Sequence, residues 1–132
     1  MARCFDLANT VVYLRDGGSA EPLKITRSFW SGSSVGNAAD RVVGAFTFST
    51  SEDLHASMQE MHPRADEVLI LASGALDVIL DEAGVERTIA LESGQAAIVP
   101  QGVWHRLVMR RPGRLLFINS RVDMQSRPHT AR

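Results

Sequence analysis

The chain has 132 residues, 45% of them hydrophobic and 22% charged, with fourteen Lys and Arg against fifteen Asp and Glu. Those proportions fit one soluble globular domain, and a net charge of −1 leaves no general positive excess to hold nucleic acid or an anionic membrane. The lone cysteine, Cys4, excludes an intrachain disulfide framework, and the central apolar run at 68–72 is far too short to span a bilayer.

In chain order, Arg3, Asp6 and Asn9 interrupt the stretch where a secretory leader would need an apolar core, so the cytoplasm is the expected compartment. Residues 9–15 and 23–27 can form strands around the turn-like 16–19 (DGGS), and 31–39 (SGSSVGNAA) reads as loop. From residue 41 the signal sharpens. Strands are predicted at 41–48, 67–73, 76–80, 85–91, 95–99, 103–110 and 114–119, separated by Ser73-Gly74, 81–84 (DEAG), Ser93-Gly94 and 111–113 (RPG). The residues from Asp123 onward hold Pro128 and few large apolar side chains, and are expected to fray. Short strands at this spacing, without intervening helices, indicate an all-β sandwich or small barrel.

Alternation assigns faces. Leu76, Val78 and Leu80 share one side of their strand. Val103, His105, Leu107 and Met109 share the inward side of theirs, leaving Trp104, Arg106, Val108 and Arg110 on the other. Trp104 is thus expected between sheets rather than in a pocket. Residues 52–92 carry ten acids against two bases, a net of −8, whereas 101–132 carry seven arginines against Asp123, a net of +6. Two neighbouring solvated faces of opposite sign account for this, and no aromatic residue interleaves Arg106, Arg110, Arg111 and Arg114 as a nucleic-acid surface would require.

Two segments carry chemistry: 60–67 (EMHPRADE) and 94–105 (GQAAIVPQGVWH). If 58–62 is extended, Glu60 and His62 lie on one face; Glu67 then opens the strand after the Pro63 turn, and His105 points inward from a distant strand. Two imidazoles and one or two carboxylates converge inside a barrel only if something neutralises or orders them, and a divalent metal does both. His55 and His129 stand outside this pattern and are expected to face solvent, and Cys4 has no adjacent base to make it a nucleophile.

These segments resemble the two motifs of the cupin superfamily, G-x5-H-x-H-x3–4-E-x6-G and G-x5-P-x-G-x2-H-x3-N. Gly94, Pro100, Gly102 and His105 fall in register with the second, and His62, Glu67 and Gly74 with the first. Glu60 replaces the first histidine, the opening glycine is out of register, and Met109 replaces the asparagine, which suggests an apolar pocket wall there. The Glu-x-His-Pro-x3-Glu form of motif 1 is similar to that of small single-domain bacterial cupins.

The resemblance implies a double-stranded β-helix, a jelly-roll barrel of two antiparallel sheets. Its barrel would span residues 41–122, with 1–40 completing the barrel or a dimer interface and 123–132 a flexible tail. It further implies a divalent ion, Mn, Fe, Ni or Zn, held by Glu60, His62, Glu67 and His105, with Mn or Fe favoured because Glu60, a second carboxylate in place of a histidine, adds negative charge and lowers the softness of the set. The expected activity is dioxygenase, isomerase or decarboxylase chemistry on a small oxygenated molecule, the alternative being a ligand-binding or sensing cupin without turnover. The expected partners are that small molecule and a second copy of the chain, with no nucleic acid and no membrane.

Overall fold

Two strands of sixteen residues organise the molecule. The computed structural model describes residues 2–30 and 37–130, so most of the loop expected at 31–39 lies outside the described residues. Strands run at Thr10–Leu14 (β1), Ala20–Lys24 (β2), Arg41–Phe48 (β3), Met58–Met61 (β4), Glu67–Glu82 (β5), Val85–Glu92 (β6), Ala96–Val99 (β7), Trp104–Asn119 (β8) and Gln125–Pro128 (β9). Arg27–Trp30 makes one helical turn (α1), and Glu52–Leu54 a 3₁₀ turn.

All pairing is antiparallel, and it separates into two arrays that share β5 and β8. In one, β2, β1, β3, the second half of β8, the first half of β5 and β7 lie side by side. In the other, the order is β9, β4, the first half of β8, the second half of β5 and β6. This is the expected jelly-roll arrangement of two antiparallel sheets, but its construction differs from expectation at the junction. Ser73-Gly74 and 111–113 do not end strands. They face each other within the continuous β5–β8 pairing, where the register slips between Leu71 and Leu76. Pro112 has no N–H to donate, and a bulge is where a strand tolerates that.

The slip also switches which side of β5 is buried. Glu67, Leu69 and Leu71 are buried before it, and Leu76, Val78 and Leu80 after it. Both halves therefore face the interior, where they join Val11, Tyr13, Val42, Phe48, Leu115 and Phe117. At the slip the backbones touch. A Cβ on Gly74 would lie 2.6 Å from the Pro112 carbonyl oxygen, and one on Gly113 would strike the Ser73 carbonyl.

β1 pairs with β3, so the N-terminal strands extend its sheet. Asp40 fastens that extension from a buried position, accepting hydrogen bonds from the Arg15 guanidinium and the Asp16 and Asn37 amides. The expected frayed tail instead forms β9 and lies along β4. There Arg127 donates to buried Gln59 (2.7 Å), reaches Asp81 (3.3 Å) and stacks 4.0 Å over the Trp104 ring, so Trp104 packs beneath a guanidinium rather than between sheets. Finally, Met109 packs against the core and is not among the residues lining the main cavity. The opposed charges do meet, through Arg110 with Asp77 and Glu92 (both 2.9 Å). No helix among the described residues is long and apolar enough to cross a membrane.

Gly74 (φ +87°) and Gly94 (φ +85°) share a left-handed backbone, but nothing lies within 4 Å of a Cβ at Gly94. Gly94→Ala should therefore cost only the conformational penalty of about 1–2 kcal/mol, and Gly74→Ala clearly more. Urea unfolding of both variants checks this, and equal losses would show that the close approach at the slip is not restrictive.

Candidate metal centre

The four expected side chains come from both arrays. Glu60 on β4 stands directly opposite His105 on β8, and His62 follows β4 by one residue. Glu67 opens β5. The Gly102 amide donates to the His62 carbonyl (2.9 Å) and the Gln101 amide to the Asp66 carboxylate (2.9 Å), so the turns of the two sequence segments are tied together.

Inside, all four acidic and imidazole groups converge. His105 Nε2 lies 2.9 Å from Glu67 Oε1, while His62 Nε2 lies 3.4 Å from Glu67 Oε2 and 4.0 Å from Glu60 Oε2. One donor atom each from Glu60, His62 and His105 fall within 4.8 Å of one another. Both imidazoles are oriented from behind: His62 Nδ1 donates to the Ser120 carbonyl (2.9 Å) and His105 Nδ1 to the Val103 carbonyl (3.2 Å). A carbonyl can only accept, so Nδ1 carries the proton in each ring and a neutral ring turns its Nε2 lone pair toward the cluster. His62 Nε2 is buried without a hydrogen bond, the state of a nitrogen awaiting a ligand. The donor set thus fits a divalent ion.

A family model for the cupin domain matches residues 52–119, just over half of the chain. The chain belongs to the cupin family. Two solved structures are similar in fold. The cobalt(II) form of HppE in complex with substrate shows 18% identity and a TM-score of 0.50, covering 60% of this chain and 44% of that one. Oxalate decarboxylase from Bacillus subtilis, studied for its Mn(II) centres, shows 18% identity and a TM-score of 0.52, covering 67% of this chain and 23% of that one. This cupin therefore corresponds to less than half the length of either protein. No match is found among curated protein sequences.

Electrostatics favour the charged forms of Glu67 and His105. Burial pushes the Glu67 carboxyl up, but His105 and His62 against it outweigh that and hold it well below the usual carboxylate range. Burial pushes the His105 imidazolium down, and Glu67 more than reverses this, so its pKa is raised. Asn119, buried at the end of β8, also donates to Glu67 Oε2 (2.7 Å).

Two residues of this site escape the motif reading, Asn119 and Arg121. The signal for both was alternation: Leu115, Phe117, Asn119 and Arg121 are all buried at period two, a pattern that runs past the expected end of the strand. Together with Glu60, Glu67 and His105 they line the polar end of a cavity of about 250 Å³. Its other walls include Phe46, Leu54, Leu69, Leu107, Leu115 and Phe117. His55 is exposed as expected, at the mouth of this cavity, whereas His129 is half-buried and its amide donates to the Ser57 carbonyl.

Stability without metal should show this pairing. His105 contributes fully below the ordinary imidazole pKa of about 6.5 and loses its contribution as pH rises through the raised folded value. Glu67 contributes fully above about 4.3 and loses its contribution only as pH falls through its depressed value. Thermal unfolding in EDTA should therefore show stability declining on the alkaline side of pH 6.5. Glu67→Gln should flatten that decline, and an undiminished slope would assign it to another group.

Proposed function

We propose that this cupin holds a divalent ion through Glu60, His62 and His105, with Glu67 as fourth donor, and uses it on a small oxygenated organic molecule bound in the cavity. The observation that carries this reading is the pair of imidazoles locked by backbone carbonyls with both Nε2 atoms aimed at one cluster of carboxylates. Two carboxylates, two imidazoles and no thiolate form a hard-to-borderline set that disfavours Cu(I), and the second carboxylate in place of a histidine moves its preference toward Mn(II) or Fe(II). The Co(II) and Mn(II) named for the two structural neighbours agree with such chemistry.

When bound, the ion would act as a Lewis acid toward a substrate oxygen or as a site for O₂. The chain's own residues supply the rest. Ser120 and Val103 carbonyls hold the imidazole tautomer, Asn119 orients Glu67, and the leucine and phenylalanine walls exclude water. His105 must release its proton before it can coordinate.

A binding or sensing role without turnover is the second reading, and Asp53 favours it. Outside the proposed donor set it is the one carboxylate among the described cavity-lining residues, yet it accepts from the Ser49 and Thr50 amides. Those bonds hold its pKa below the ordinary value, which unfits it as a general acid near neutrality. We also propose a homodimer. Among the described residues β2 pairs only with β1, leaving a sheet edge near the partly exposed Leu14 and Leu23.

Metal analysis of purified protein and titration with Mn(II), Fe(II) and Zn(II) test the main reading. His105→Ala should weaken binding about tenfold or more, and Glu60→Gln should weaken it while leaving three donors. Glu60→His should restore binding and shift preference toward Zn or Ni. Affinity should rise with pH as His105 deprotonates. A wild-type chain that binds none of these ions would refute the assignment. Light scattering at high micromolar concentration tests the dimer, and a persistent monomer would remove it.

A further inference from the structure

Arg121 is only 3% exposed, yet no carboxylate lies within ion-pair distance of it among the described residues. Its guanidinium stacks 4.5 Å from the Phe29 ring centroid, and one of its terminal nitrogens donates to the Phe29 carbonyl (2.6 Å). Nε is buried without a hydrogen bond, and the side chain forms part of the cavity wall beside the proposed metal donors. A guanidinium stays charged even when buried, and an unpaired buried charge is costly unless something compensates it. Glu60 and Glu67 attract it from beyond ion-pair distance, and Phe29 compensates it only in part.

We infer that Arg121 seats the carboxylate of the ligand, and that the cavity selects a small monocarboxylic acid with an apolar body. The inference rests on the proposed divalent ion. The charges of Glu60 and Glu67 cancel those of such an ion, and Asp53 on the cavity wall offsets Arg106, which leaves one positive charge, that of the buried Arg121, over in a low-dielectric cavity. One anionic group on the ligand neutralises the site; a neutral ligand leaves it charged, and a dianion overshoots. Guanidinium geometry suits a planar carboxylate, which can accept two parallel N–H bonds. Most of the remaining lining residues are apolar, with Phe46, Leu54, Leu107, Leu115 and Phe117 available to the body of the molecule. At about 250 Å³ the cavity is near the lower end of ligand pockets, which limits that body to roughly the size of one aromatic ring. Arg121 is in this sense a specificity-determining residue, placed at one end of the cavity with the metal donors alongside.

Benzoate and its uncharged isostere benzamide are suitable probes, with binding to the Mn(II)-loaded full chain followed by calorimetry. Wild type should prefer benzoate. Arg121→Gln should weaken benzoate binding about thirtyfold or more, leave benzamide binding little changed and retain Mn(II) uptake. Equal affinity of wild type for the two probes, no binding of benzoate, or undiminished benzoate binding by Arg121→Gln would each overturn the inference while leaving the metal assignment intact. The probe comparison on wild type alone decides the matter if the variant does not fold. If wild type takes up no Mn(II), the metal reading fails and the Arg121 seat that rests on it falls with it, whereas normal Mn(II) uptake without a benzoate preference overturns the seat alone.

Discussion

The continuous pairing of β5 with β8 is the constraint on which the rest of this molecule depends. It runs through both arrays, and its slipped register at Ser73–Ala75 allows one pair of strands to serve two sheets. The consequence for chemistry is geometric. Glu67 and Asn119 lie at one end of the strand pair, while His105 lies toward the other, alongside Leu80. Folding one array over the other brings these ends within hydrogen-bond distance, so the cluster spans the interior rather than lying on one sheet. An ion held there would act as a staple between arrays, gaining rigidity from the core and returning it.

The same geometry separates two kinds of buried polarity. Asp40 is buried with its donors supplied by neighbouring backbone and Arg15, and it needs nothing more. Around Glu67, by contrast, two imidazole nitrogens crowd one carboxylate and a second carboxylate approaches, with His62 Nε2 left without a hydrogen bond. The first arrangement is complete as a structural device. The second leaves a buried nitrogen without a hydrogen bond, a cost of about 1–3 kcal/mol that the proposed cation would relieve.

Much of this was legible in the residues. Period-two alternation placed His105 inward, and the resemblance of the two segments to the cupin motifs implied both the jelly-roll barrel and its cluster. The breaks in that reading have physical causes. Ser73-Gly74 and 111–113 have the composition of turns, and a bulge in a long strand draws on the same residues, so composition does not distinguish them. β9 has an exposed, polar burial pattern and is specified by its partner β4 rather than by its own hydrophobicity. Arg121 was hidden because a charged residue past the end of a strand is ordinarily read as solvated, although the alternation through Leu115, Phe117 and Asn119 pointed inward.

One feature of β4 couples the far end of the chain to the cluster. The strand that carries Glu60 pairs with β8 at a single position, Glu60 with His105, but with β9 at four. Most of the ladder that keeps Glu60 extended is therefore contributed by β9. Any ligand that fixes Glu60 thus also stabilises the docked state of residues 125–128, and by reciprocity whatever orders those residues raises affinity at the cluster by the same factor. Slowed amide exchange along β9 becomes a remote reporter of occupancy in the barrel.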